Sequence, residues 1–261
     1  MALNRIYSLI LRSLYTTRHS WDRITDLFYW PAIDLLLWGL TSFYIKKFAP
    51  ESFGITMVIV SGVVFWLIVW RGQNDISLNL LEDLWNKNLI NIFVAPIKFI
   101  EWVTAFLSLS IIKIIISLPF AVLLALLLYE VNIFSYGLYL IPFSILLLMT
   151  GWWVGMCVNG IILRFGTKVQ TLAWSLVMII SPFSAIYYPL SILPEWAQKV
   201  AIVIPTSYVF EGAREVISTG ILDWNKVIIS LALNAVYLAM AFLFLRLSFS
   251  KLLQRGLVKL Y

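Results

Sequence analysis

Few residues in this sequence could do chemistry, and two of them lie inside long apolar runs. Asp34 falls within the run 28–48, and Lys113 falls within the run 102–128. Because a charged side chain is costly in lipid, it usually faces a partner or a wet cavity. We therefore expect the two to pair with each other, or one of them to line a transport path. For Asp34 a second interpretation stays open, since it lies only about two turns, roughly 9 Å, into its run and could reach the inner membrane interface.

The motifs of common enzyme chemistry are missing. The sequence has no HExxH, no GxSxG and no GxxxxGK[ST], and residues 151–155 read GWWVG, with tryptophan where a nucleophilic serine would stand. A single histidine, His19, and a single cysteine, Cys157, cannot build a metal site. We predict no catalytic residue, no metal site and no bound cofactor. Gly151 and Gly155 instead form a GxxxG pattern, which favours close helix packing within the chain over a dimer contact.

The composition predicts an all-α membrane protein. Of 261 residues, 62% are hydrophobic and only 12% are charged, whereas a soluble domain is nearer one quarter charged. Arg5 and Arg12 interrupt the first apolar stretch, so we do not expect a cleaved signal peptide. No repeat or linker divides the chain, which predicts a single domain over residues 1–261. Six runs are long enough to be transmembrane helices: 28–48, 55–70, 102–128, 138–162, 172–188 and 227–247.

The distribution of cations predicts the orientation. With the N-terminus inside, most of the 19 lysines and arginines fall on the inner side of the six spans. Inner loops of membrane proteins favour these residues, so both termini should be cytoplasmic and the chain should lie in the cytoplasmic membrane. The same rule accounts for the net charge of +6, and we expect no nucleic-acid partner.

Residues 1–25 predict an amphipathic helix on the inner membrane surface. Leu3, Ile6 and Ile10 follow the spacing of one helical face, while Arg5 and Arg12 lie on the opposite side. We expect these cations to face lipid headgroups.

Residues 75–92 predict a second helix outside the spans, on the cytoplasmic side. Leu78, Leu81 and Trp85 share one face, and Asp75 and Glu82 share the other. Such a helix could rest on the bilayer, or it could dock into a groove of a partner protein. The pattern alone supports both interpretations equally.

Residues 189–220 lie between the last two runs and predict two short helices on the outer side. Pro194 suits a helix start, with Glu195 favourably placed behind it, and Pro205 ends the first helix and begins the second. The segment is too apolar to lie wholly in water. Irregular backbone at membrane depth must be buried in protein or line a cavity, so we expect a re-entrant helical hairpin that partly closes a pathway.

The outer segment, YYPLSILPEWAQKVAIVIPTSYVFEGAREVISTG (187–220), resembles the signature region of ABC-2 type transporter permeases. These are the six-span membrane subunits of ABC exporters. The shared features are a proline after the fifth span, an LP-x-W, a P-[LT]-[ST]-Y and an E-G-x-R. Residues 80–102 also resemble the cytoplasmic segment of that family between spans two and three, although the frequent Gly-Thr is missing.

The resemblance implies a transport subunit without its own ATPase site. ATP and Mg²⁺ would be bound by a separate ABC ATPase, and the permease would pair with a second copy of itself or with a paralogous permease. The helix 1–25 would be the interface helix. The helix 75–92 would be the coupling helix, with contacts from Glu82, Asp83, Trp85, Asn86, Lys87 and Leu89. The helices of 189–220 would be gate helices, with Pro189, Pro194, Glu195, Trp196, Pro205, Tyr208, Glu211 and Arg214 at the gate.

The family resemblance leaves the cargo open. Chain size and aromatic content favour export of a polysaccharide or lipid-linked glycan, with hydrophobic drug or lipid efflux as the alternative. Trp66 and Trp174 lie within predicted spans. Such rings could stack on sugars, although core packing is the commoner role. An ion-coupled secondary transporter is a more distant alternative, because the six runs show no inverted repeat.

Overall fold

The computed structural model describes residues 2–48 and 54–255, and within these ranges the chain forms helices and turns without any strand. This confirms the all-α class. Met1 and residues 256–261, which the sequence assigns to the interface helix and to the single domain, lie outside the described residues. Short 3₁₀ turns cover 133–139, 166–169, 181–183 and 190–192. The α-helices are α1 (Ala2–Arg18), α2 (Trp21–Phe48), α3 (Ile55–Trp85), α4 (Leu89–Val94), α5 (Phe99–Tyr129), α6 (Leu140–Phe165), α7 (Leu172–Ile180), α8 (Glu195–Ala201), α9 (Pro205–Thr219) and α10 (Trp224–Arg255).

Among the described residues, four helical stretches are long and apolar enough to cross a membrane, which indicates a membrane protein. They are Ile55–Trp85, Phe99–Tyr129, Ile133–Val169 and Trp224–Gln254.

The two other expected spans differ from these four. The run 28–48 lies in α2, a 28-residue helix that carries Asp22 and Asp26 near its start. The run 172–188 is not one helix: α7 has nine residues, about 14 Å, and a 3₁₀ turn that contains Pro182 follows it. Six full-length spans are therefore not confirmed.

Helix α3 runs without a break from the second expected span into the expected coupling helix. The sequence analysis treats 75–92 as a separate helix, but residues 75–85 are the last three turns of α3, and α4 is a second, short helix after a turn. No proline or glycine interrupts 73–85, and Lys87, with φ 52°, makes the turn. At 31 residues α3 is about 46 Å long, well beyond the roughly 30 Å of a hydrocarbon core.

Helix α3 lies at the centre of the fold, packed along α6, α5 and α2. Its closest approach is to α6, where Gly151 faces Gly72: a Cβ on Gly151 would lie 2.7 Å from the carbonyl oxygen of Val69. One turn on, a Cβ on Gly155 would meet Ile76 at 3.0 Å. The expectation that this GxxxG pattern serves packing within the chain is confirmed.

Candidate functional site

Lys113 pairs with Asp75, not with Asp34. Its ammonium lies 3.0 Å from Asp75 Oδ1, and both side chains are almost fully buried. The expected pairing of Asp34 with Lys113 is therefore wrong. Because α3 continues as one helix, Asp75 comes to face α5 inside the fold, whereas the sequence analysis places it on a separate helix outside the spans.

A fully buried arginine extends this pair into a charge network. Arg71 donates to Asp26 Oδ2 at 2.5 Å and also to the Asp26 backbone carbonyl, and its guanidinium lies 4.0 Å from Asp75. Two carboxylates and two cations thus neutralise each other across α2, α3 and α5. A buried network of this kind is stable only when its members stay paired. Arg71 and Asp26 are not among the predicted site residues, although the i, i+4 spacing of Arg71 and Asp75 is a signal of such a pair.

Beside the network lies a partly open cavity of about 330 Å³, bordered by α2, α3, α5 and α7. Residues at i, i+4 spacing present one face of each of two helices to it. On α2 the row is Asp26, Trp30 and Asp34; on α3 it is Trp66, Trp70 and Asn74. The remaining lining residues are Pro31, Leu35, Val63, Val64, Leu67, Ala121, Trp174 and Met178.

Two polar groups in the cavity have no partner in the part of the chain that the structure describes. Asp34 is exposed, and within the ranges 2–48 and 54–255 it makes neither an ion pair nor a hydrogen bond. Asn74 is only 3% exposed, and its side-chain oxygen accepts no hydrogen bond from the described residues. Asp34 is a predicted path residue, whereas Asn74, Trp30 and Trp70 are not predicted from the sequence to line a site. Their i, i+4 rows could have identified them.

Three cations of α1 and the start of α2 face protein carboxylates instead of lipid headgroups. Arg12 makes a two-pronged pair with Asp83, at 2.7 and 3.0 Å. Arg23 lies 2.6 Å from Glu82. Arg5 lies 3.4 Å from Glu101 and also donates to the Pro96 carbonyl.

Helix α1 nevertheless has an exposed apolar surface, which includes Leu3 and Tyr7. The expectation that Arg5 and Arg12 face headgroups is wrong, since the ends of α3 and α5 supply carboxylates.

The six expected coupling residues separate into two groups. Glu82 and Asp83 are committed to the ion pairs just described, and Leu89 is fully buried. Trp85, Asn86 and Lys87 are exposed at the end of α3. Trp85 also donates through Nε1 to Gln170 at 3.0 Å, which joins this end to the turn after α6. Residues 85–87 thus form an exposed surface at the end of α3, and Val94 on the following helix α4 is also exposed.

In the outer segment, the charged residues hold its parts together. Glu211 accepts a hydrogen bond from the backbone N–H of Leu190 and lies 3.1 Å from Arg214. Arg214 in turn donates to the carbonyl of Ala185, a buried residue at φ 58°. Glu215 pairs with Lys226 at the start of α10. These contacts join α9 to the irregular stretch before α8.

The other expected gate residues differ in how far they are buried. Pro205 is buried at the start of α9, and Pro189 is half-buried. Pro194 and Glu195 are exposed at the start of α8. Trp196 is 63% exposed and makes an edge-on contact with Phe183; this exposure and the other apolar side chains on α8 provide a lipid-compatible surface.

Tyr208 is one of the polar links between α8 and α9, beside Ser207, which donates to the Ala201 carbonyl at 2.8 Å. The Tyr208 hydroxyl donates to the Ile202 carbonyl at 2.9 Å, which closes the turn between the two helices. Burial raises the pKa of the Tyr208 phenol, so the group stays a donor at neutral pH.

No protein-family model matches the chain, and no curated protein matches it at a significant level.

Proposed function

We propose that this chain is the transmembrane permease subunit of an ATP-driven ABC exporter. In this proposal it moves a polysaccharide or a lipid-linked glycan out across the cytoplasmic membrane. It works with a separate ABC ATPase, which holds ATP and Mg²⁺, and with a second copy of itself or a paralogous permease. Both termini lie in the cytoplasm, and the outer segment 189–220 forms the gate.

One observation carries the proposal: the cavity and the exposed surface at the end of α3 belong to the same helix. Trp66, Trp70 and Asn74 line the cavity, and Trp85 lies at the exposed end of α3. An ATPase that binds this end more tightly in one state of the permease than in the other would shift the cavity wall. The side-by-side rows of tryptophan and polar residues also favour a glycan, because indole faces stack on sugar rings and amide or carboxylate groups bind hydroxyls.

The proposed docking surface can be tested without disturbing the ion pairs. Because Glu82 and Asp83 hold α1 and α2, we would change only Trp85 and Lys87, as Trp85→Ala with Lys87→Glu. Tagged full-length permease should capture an ABC ATPase from membranes of its own cell, and the purified ATPase should be stimulated by the wild-type permease. We expect the double variant to lose at least tenfold in this stimulation.

A matched control is Trp224→Ala, which removes another exposed tryptophan at the start of α10. It should stimulate the ATPase as the wild type does. If the Trp85 and Lys87 variant captured and stimulated the ATPase normally, the assignment of this surface would fail. If the wild-type permease captured no protein with a Walker motif, the whole proposal would fail.

The gate assignment has its own test. Pro194→Ala and Arg214→Ala should each reduce export by vesicles that contain the permease and its ATPase. Normal export by both variants, at normal expression, would make this segment a lid without a gating role.

Efflux of a hydrophobic drug or lipid is the second candidate. The mostly apolar lining of the cavity and the unpaired Asp34 favour it. An ion-coupled secondary transporter has less support, because Asp75 and Lys113 neutralise each other and, of the described residues in the cavity, Asp34 is the one carboxylate left to carry a coupling ion.

A further inference from the structure

We propose that the cavity binds a protonated amine of the cargo, with Asp34 as its counter-ion and tryptophan rings as the surrounding surface. This inference rests on the proposed function and specifies its cargo: the molecule that enters the cavity is an organic cation. The amine could be carried by an amino sugar of a glycan or by a hydrophobic drug. The chemistry is the same in both cases, and the experiment below separates them.

The first argument is the balance of charge around the cavity. Two carboxylates line it, but Asp26 is already paired with Arg71. Arg71 lies next to Asp75, and Lys113 completes that set of two anions and two cations. The described lining contains no lysine, arginine or histidine that could neutralise Asp34.

The negative charge of Asp34 is therefore uncompensated by the described residues. Four protein helices border the cavity and keep its surroundings poorer in water than the bulk. A carboxylate in such a setting attracts a cation more strongly than it would in bulk water. A neutral hydroxyl would gain only a hydrogen bond from this carboxylate, and an anionic ligand would be repelled by it.

The second argument is the aromatic lining. Trp30, Trp66, Trp70 and Trp174 border the same cavity as Asp34. An ammonium group over an indole face is attracted by the negative face of the ring system, and tryptophan is the best of the aromatic residues for this contact. A carboxylate together with several indole rings thus selects a cation that is attached to an apolar body or to the C–H face of a sugar ring.

The third argument is the unpartnered amide of Asn74. Its side-chain oxygen is buried at the wall of the cavity and accepts no hydrogen bond from the described residues. A buried acceptor without a donor is costly, so a ligand whose N–H or O–H donor reached this oxygen after a small shift of the wall would be favoured. The volume of about 330 Å³ is at the lower end of sites that hold small molecules. One sugar unit or a small drug fits that size.

The test compares ligands that differ only in charge. Full-length permease in lipid nanodiscs would be titrated calorimetrically with two pairs of probes. The glycan pair is a glucosamine oligosaccharide and its N-acetylated, uncharged counterpart. The hydrophobic pair is 2-naphthylmethylamine and 2-naphthylmethanol. We expect the charged member of at least one pair to bind at least tenfold more tightly than its neutral counterpart. The pair that shows this preference identifies the source of the amine.

Substitutions in the cavity then show which residues cause the preference for the charged probe. Asp34→Asn should abolish the tenfold difference, and Trp174→Leu should weaken the charged ligand by about fivefold to tenfold. Asp34→Glu should keep the preference, so the test remains decisive even if the asparagine variant is poorly folded. Asp22→Asn, an exposed carboxylate of the same helix, and Trp224→Leu, an exposed tryptophan outside the cavity, serve as matched controls and should bind as the wild type does.

Three results would overturn the inference: binding of neither charged probe, equal binding of charged and neutral probes, or a charge preference that survives Asp34→Asn. The titration uses the permease without an ATPase, so it is independent of the test of the proposed function. Normal ATPase stimulation with no charge preference would refute only this inference. Absence of any ATPase partner would refute the proposed function, even if the charge preference were found.

Discussion

The ion pair between Asp75 and Lys113 gives the sharpest test of the fold. At a separation of 3.0 Å, an effective dielectric constant of about 20 gives an attraction of roughly 5 to 6 kcal/mol, from which desolvation of both groups must be subtracted. Asp75→Asn leaves Lys113 buried with no carboxylate within 4 Å among the described residues. We expect this change to cost about 3 to 5 kcal/mol of unfolding free energy.

Removing the lysine instead should lower the free energy of unfolding by less, because Lys113→Met leaves Asp75 with Arg71 at 4.0 Å. We expect about 1 to 2 kcal/mol for it, and about the same for the double variant, which removes both charges and leaves Arg71 with Asp26. The sum of the two single effects should therefore exceed the double effect by about 3 to 5 kcal/mol, a large coupling energy. Unfolding in mixed detergent micelles at increasing SDS, followed by tryptophan fluorescence, measures all three.

Lys168→Met, which removes an exposed lysine, is the control and should unfold as the wild type does. A second double-mutant cycle combines Asp34→Asn with Lys113→Met, and it should show no coupling. If Lys113 were coupled to Asp34 and not to Asp75, the continuous α3 and the separation of Asp34 from the charge network would both be refuted.

Three further predictions concern packing and the surface ion pairs. Gly151→Val should destabilise the protein by about 2 kcal/mol or more in the same SDS assay, because the new side chain meets the backbone of α3 and cannot be relieved by a rotamer change. Arg12→Asp should loosen the attachment of α1, measured as faster proteolysis near residue 19, and the added change Asp83→Arg should restore resistance. Because Arg12 is about two-fifths exposed, we expect the single change to lower the free energy of unfolding by only about 1 kcal/mol. Arg214→Lys should keep the pair with Glu211 and resist proteolysis at 185–193, whereas Arg214→Ala should be cut there within minutes.

The sequence predicts the helical class and the close packing at Gly151 well, because both depend on local patterns. Long apolar runs give helices, and two glycines one turn apart allow close approach of a neighbouring helix. The sequence predicts the boundaries between consecutive helices less well. The polar residues Asp75 and Asn79 resemble the start of a surface helix, but both are buried within α3.

The partners of the charged residues could not be read from spacing alone. A cation on an amphipathic helix is attracted equally by headgroups and by carboxylates, and only the three-dimensional arrangement decides between them. Here Arg12 finds Asp83, which lies 71 residues further along the chain. Part of the cavity lining could be predicted from the sequence, since its residues repeat every four positions on α2 and α3. That these two rows face each other follows from tertiary packing, which the sequence pattern does not contain.

The continuity of α3 is the feature on which coupling between the two ends depends, and hydrogen exchange can test it. Trp66 and Trp85 are 19 residues apart on one helix, a distance of about 28 Å along its axis. If α3 behaves as one cooperative unit, backbone amides of 76–84 should exchange about as slowly as those of 60–70 in nanodiscs. The short helix α8, in which Trp196, Lys199 and Val200 are exposed, should exchange at least a hundredfold faster and serves as the internal reference. Rapid exchange of 76–84 would instead mean that this part opens independently. A force applied at Trp85 would then be lost before it reached the cavity.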